Sequence, residues 1–166
     1  MNTISKVFLV LLVTLWSNQI LAENLISSAC DHTLYKDLCT QTLQSDPESS
    51  AATSFEVLAK VALKHATSTA TQITELLKGS SGNKGALKDC NENYQNAIEG
   101  LTKSARALAS KKYNDVNAWV SAAMSAGDSC DDGFKDVGGG KSPVGTRGTT
   151  FTGLCSIVLA ITNQLK

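Results

Sequence analysis

Four of this chain's five cysteines are placed symmetrically about turns, and that placement restricts the fold more than any other feature. Cys90 and Cys130 lie equally far from residue 110, where Ser110-Lys111-Lys112 interrupts two helix-like runs. Cys30 and Cys39 flank Thr33-Leu34-Tyr35 in the same way on a smaller scale. In two antiparallel helices joined by a short turn, residues equidistant from the turn end up opposite one another. At ~1.5 Å rise per residue, Cys90 and Cys130 would both lie ~30 Å from their turn, in register to bond. Each pair therefore reads as a staple across a helical hairpin, and stable staples imply an oxidising compartment. Cys155 is left over inside the apolar run Leu154-Cys155-Ser156-Ile157-Val158-Leu159, where it reads as a buried, unreactive thiol.

The N-terminus agrees with such a compartment. Lys6 gives a positive start, Val7 to Leu15 is almost unbroken apolar sequence, and Ile20-Leu21-Ala22 offers a small residue for cleavage. Residues 1–22 are expected to be a secretory signal peptide, too short in its apolar part to span a bilayer. A chain starting at Glu23 would carry 14 basic against 15 acidic side chains. That balance argues against a nucleic-acid partner, which needs a basic face. No later stretch suggests a membrane span, and no Asn-x-Ser/Thr acceptor occurs.

Four segments carry helical period. Phe55, Leu58, Ala62, Ala66, Thr69, Ile73 and Leu76 form a stripe within 51–78. Leu87, Cys90, Tyr94, Ala97, Leu101, Ala105 and Leu108 form the second. Val116, Trp119, Ala123, Gly127, Cys130 and Phe134 form the third, and Phe151, Leu154, Val158, Ile161 and Leu165 the last. Gly79-Ser80-Ser81-Gly82-Asn83 and Gly138-Gly139-Gly140-Lys141-Ser142-Pro143 are breaks, and Asn114 is a suitable N-cap for the third helix. Short loops make successive helices antiparallel neighbours. The expected fold is thus all-α: an up-down-up-down four-helix bundle over 51–166. A disulfide-stapled helical hairpin over 23–50 precedes it, linked through Ser45-Asp46-Pro47. Together, 23–166 would form one domain.

Catalytic and metal motifs do not hold up. Gly140-Lys141-Ser142 resembles the end of a phosphate loop, but Lys135 stands where the first glycine belongs, so a solvated linker is expected. His32 and His65 fall on different elements without zinc spacing, and His65 is expected to be solvated or at a helix boundary. Asp128, Asp131, Asp132 and Asp136 lie on a predicted helix, whereas calcium loops need a turning backbone. No G-x-S-x-G elbow is present. No cofactor or metal is implied, and a rigid stapled bundle without catalytic apparatus reads as a binding protein rather than an enzyme.

These residues resemble the plant invertase and pectin methylesterase inhibitor family. The two cysteine spacings, Cys90-Asn91-Glu92-Asn93-Tyr94, Ser121-Ala122-Ala123 and Cys130-Asp131-Asp132-Gly133-Phe134 carry the likeness over most of 23–166. The resemblance implies one-to-one inhibition of a target enzyme outside the cell, in the apoplast or cell wall. Invertase inhibitors of this kind place Pro-Lys-Phe in the turn between the second and third bundle helices; here the turn reads Lys111-Lys112-Tyr113, without proline. The Ser-Ala-Ala stretch and the fifth cysteine, Cys155, resemble the pectin methylesterase inhibitors instead. Pectin methylesterase is therefore the expected partner, with acid invertase the alternative; an interaction protein with no inhibitory activity is the rival class. The implied contact face is Glu92, Asn96 and Glu99 on the second bundle helix with Asn117, Ser121, Ser125, Ser129 and Asp132 on the third. A homodimer through exchange of the N-terminal hairpin is left open at this point.

Overall fold

The computed structural model describes residues 19–138 and 140–166, so the expected leader lies outside the described residues except for 19–22. The described chain is all-helical, without a strand. Helix α1 runs over 19–31. After it come α2 (Lys36–Ser45), α3 (Pro47–Ser50), α4 (Phe55–Lys78), α5 (Lys84–Ala109), α6 (Tyr113–Met124), α7 (Ala126–Asp136) and α8 (Gly145–Asn163). Around the bundle, α4 packs on α5 and α8, and α5 packs on α6 and α7; α6 closes the ring against α8.

Local chemistry explains the boundaries. Asn83 caps α5 by accepting from the Ala86 amide at 3.1 Å. Asp46 caps the single turn α3 by accepting from the Glu48 amide at 3.0 Å, with Pro47 at the first helical position. Ser45-Asp46-Pro47 is therefore a helix start rather than a plain linker, and α4 begins at Phe55 instead of residue 51. The third bundle helix starts one residue before the expected cap Asn114. Lys111 takes a left-handed φ of 55°, which lets the Lys112 amide reach back to the Ala107 carbonyl at 2.9 Å and makes Lys112 the N-cap.

The third stripe is also interrupted: the helix breaks at Ser125 into α6 and α7. Two weak helix formers, Ser125 and Gly127, stand close together there. Gly127 packs tightly, since a methyl group on it would stand 3.4 Å from Thr152 Oγ1 and 3.5 Å from the Tyr94 hydroxyl. Helix α8 is buried on most sides through Phe151, Leu154, Ile157, Val158 and Ile161. The Phe151 ring meets Tyr94 edge-on at 5.4 Å.

The N-terminal hairpin shares this core rather than standing beside it. Ile26, Ala29, Cys30, Cys39 and Leu43 belong to one apolar cluster with the bundle residues. Gly153 of α8 leaves room for it: a methyl group there would stand 2.8 Å from Leu38 Cδ2 and 3.1 Å from the Tyr35 ring. Gln164 donates to the Ala29 carbonyl at 3.3 Å. His65, expected at a boundary or in solvent, is half-buried in the middle of α4. Its Nε2 lies 3.1 Å from Asp46, which also accepts from Lys64 at 2.9 Å. A carboxylate buried at the head of α3 thus draws in the imidazole, which periodicity alone could not reveal.

Candidate functional site

Two constraints set the distance between α5 and the α6–α7 segment. At one end the Cys90–Cys130 disulfide joins α5 to α7 with 4.5 Å between Cα atoms. At the other, Gly100 lets α5 approach the backbone of α6, because a methyl group there would stand 3.3 Å from the Trp119 carbonyl. Between them lies a surface groove of about 300 Å3. Its floor is made of small residues, among them Ala97, Gly100, Ala123 and Ala126, and its walls carry amides, hydroxyls and charge.

Four of the expected contact residues meet in this groove: Asn96 and Glu99 from α5, Ser125 at the break, and Ser129 from α7. All four are exposed. The Ser125 hydroxyl is committed to the Ala122 carbonyl at 2.8 Å, which fixes the corner of the groove. The other four lie elsewhere. Glu92 is exposed one turn along α5, 3.6 Å from Lys88. Asp132 is exposed on α7 and takes the Lys135 ammonium at 2.9 Å. Ser121 is exposed outside the groove lining. Asn117 is half-buried on the α8 side, where its amide donates to Asn163 Oδ1 at 2.5 Å. The break at Ser125 separates the α6 residues from those of α7, so the expected single stripe from Asn117 to Asp132 divides between two surfaces.

Periodicity misplaced Trp119. The third stripe puts it in the core, yet it is 41% exposed. Val116, Val120 and Ala123 fill the buried positions of α6, and the close approach at Gly100 leaves the indole at the rim of the groove. There Lys103 Nζ lies over the ring, 4.6 Å from its centroid. The sequence signal that could have found it is Gly100 opposite Ala123, a pair of small residues that marks a helix contact too tight for an indole.

The α5–α6 turn offers a different surface. Lys111 and Lys112 are exposed, but Tyr113 is half-buried and donates from its hydroxyl to Glu56 Oε1 at 3.1 Å. Hydrogen bonds from Ser54, from its own backbone amide and from Tyr113 hold the Glu56 carboxyl below its usual range, with Lys111 adding to the effect. In the core of the bundle Cys155 is fully buried, and burial pushes its thiol up to about 12. It stays protonated and unreactive at physiological pH. Asp131, in the acidic group of α7, accepts from Ser142, which fastens the connector before α8 and makes Ser142 a buried residue rather than part of a solvated linker.

Comparison with known proteins places this architecture. Residues 24–161 match the family model described as plant invertase/pectin methylesterase inhibitor. A pectinesterase inhibitor of Actinidia deliciosa is 32% identical over 87% of this chain and 81% of its own length. A cell wall / vacuolar inhibitor of fructosidase from Arabidopsis thaliana is 29% identical over 97% of each chain. The crystal structure of a mutant form of a pectin methylesterase inhibitor from Arabidopsis superposes with a TM-score of 0.71 at 31% identity, over 85% of this chain and 97% of that one. With the matched model spanning the hairpin and nearly all of the bundle, this chain is a member of the plant invertase/pectin methylesterase inhibitor family, a family of inhibitor proteins rather than enzymes.

Proposed function

We propose that this protein is a secreted inhibitor of pectin methylesterase, acting outside the cell as one inhibitor chain on one enzyme. In this reading residues 1–22 are removed as a signal peptide, and 23–166 act as one inhibitor domain of hairpin and bundle. The observation that carries it is the groove between α5 and α7, where Asn96, Glu99 and Ser129 stand on helices held together by the Cys90–Cys130 bridge. Preorganised polar side chains lose little freedom on docking. Their amides, hydroxyls and carboxylate suit a cleft built to hydrogen-bond a sugar polymer.

Invertase inhibition is the competing reading, and the Lys111-Lys112-Tyr113 turn is where it would reside. The Tyr113 hydroxyl is already occupied by Glu56, so the aromatic ring is not free to enter an active site as a plug. Tyr35 and Leu38 pack on Gly153 of their own chain, and the single chain is taken as the working unit in this reading.

Titration of the purified protein against a plant pectin methylesterase and an acid invertase tests the reading. Pectin methylesterase activity is expected to fall linearly and vanish at an equimolar ratio. Glu99→Ala combined with Ser129→Arg should abolish that inhibition at an unchanged melting temperature, since both positions are exposed. Lys112→Ala should leave it intact. An inhibitor that stops invertase and spares pectin methylesterase overturns the proposal.

A further inference from the structure

We infer that Trp119 and Lys103 form the energetic anchor of the docking groove, and that they take an acidic surface loop of the target enzyme. The inference rests on the inhibitory reading above but adds two residues that the family resemblance did not point to. Large apolar side chains are exposed at few described positions, and Trp119, one of them, lines this groove. It cannot retreat inward, because α5 and α6 meet backbone to backbone at Gly100 beneath it. Tryptophan is among the residues most enriched where binding energy concentrates at interfaces.

Lys103 specifies what Trp119 would meet. Its ammonium lies over the indole face, and among the described residues no carboxylate stands within 4.0 Å of it. Glu99, one turn earlier on α5, lines the same groove, also without a cation inside that distance. The ammonium therefore rests on the ring rather than in contact with Glu99, and both charges are open to a partner. A partner that brings a carboxylate to Lys103 and an apolar group to the indole edge engages both side chains. A sugar ring would instead need an indole face for stacking, and Lys103 occupies one of the two. This charge arrangement favours a protein loop over an oligosaccharide.

The test measures the inhibition constant of single variants against whichever of the two enzymes the wild-type chain stops. Trp119→Ala is expected to raise it by roughly thirtyfold and Lys103→Ala by about tenfold, with Lys103→Glu worse than either. Lys103→Ala should also flatten the dependence of inhibition on salt, since it removes the steering charge. Melting temperatures are recorded alongside, and Lys103→Ala, an exposed position outside the core, keeps the test valid should Trp119→Ala fold poorly. Wild-type inhibition with both variants equal to it overturns the inference alone. A wild-type chain that stops neither enzyme overturns the inhibitory reading and this inference together. Binding of a de-esterified pectin oligosaccharide to the chain alone, abolished by Trp119→Ala, would make the indole a sugar platform and likewise overturn it.

Discussion

Two helical hairpins in this molecule carry a disulfide, and the bridges sit at opposite ends of them. Cys30 and Cys39 are separated by 9 positions, close to their turn, with 5.7 Å between Cα atoms. Cys90 and Cys130 are separated by 40, far from the Lys111 turn, with 4.5 Å between Cα atoms. A bridge beside a turn mostly repeats what the turn already enforces, and α1 and α2 owe their placement to Gly153, Gln164 and the shared core. A bridge remote from a turn fixes what the turn does not, the spacing of α5 and α7 at the end of the face away from the close contact at Gly100. The short bridge thus serves the fold locally, whereas the long one serves the groove.

Removing each bridge in turn probes that contrast, beginning with the larger effect. Cys90→Ser with Cys130→Ser frees a 40-position loop in the unfolded chain, worth ~4 kcal/mol in the loop-entropy model. Urea unfolding should show a loss of that order, and inhibition should weaken even where helix content is unchanged. Full inhibition by the folded double variant would mean that packing at Gly100 alone sets the groove. Cys30→Ser with Cys39→Ser should cost less, ~2.7 kcal/mol by the same model. Hydrogen exchange is expected to rise in α1 and α2 while α5 to α7 keep their protection, and the inhibition constant should not move. A weakened inhibitor in that case would place the hairpin in the interface and break the comparison.

How much of this was legible in the sequence depends on what each feature requires. The helical stripes, the main breaks between them and the symmetry of both cysteine pairs are properties of the chain alone and appear in the structure, whereas the extra turn α3 and the division of the third bundle helix into α6 and α7 do not follow from periodicity. Cys155 followed from the apolar run around it. The helix break at Ser125 was less legible, because Gly127 is small for the sake of Tyr94 and Thr152, which lie on other helices. The same applies to Trp119: its spacing fits a buried stripe, and only the approach of α5 at Gly100 turns it outward. The family resemblance implies Asn117 on the contact face, yet its partner Asn163 comes from α8. Periodicity identifies a helix and its buried side well. Which of two exposed flanks faces a given neighbour is decided between helices, and no single helix encodes it.

The smallest expected effect concerns the other junction of hairpin and bundle, at Asp46. Its carboxyl is held at about 2, chiefly by the Lys64 ammonium, then by the Glu48 amide, with His65 adding to both. A free aspartate titrates near ~3.9, so as pH falls the unfolded chain takes up the proton before the folded one does. The contribution of Asp46 is therefore complete above about pH 5 and is lost progressively as pH falls from about 4 to about 2. Lys64 is largely exposed, so screening keeps the ionic part small. Asp46→Asn isolates that part, because an asparagine oxygen can still accept from the Glu48 amide and preserve the cap. Urea midpoints measured from pH 6 to pH 2 should show the wild-type chain ahead at the upper end, with the two curves converging by pH 2. Parallel curves across that range would mean that the cap, not the charge, is what Asp46 supplies. The groove would then be the only place in the comparison where a fixed charge matters.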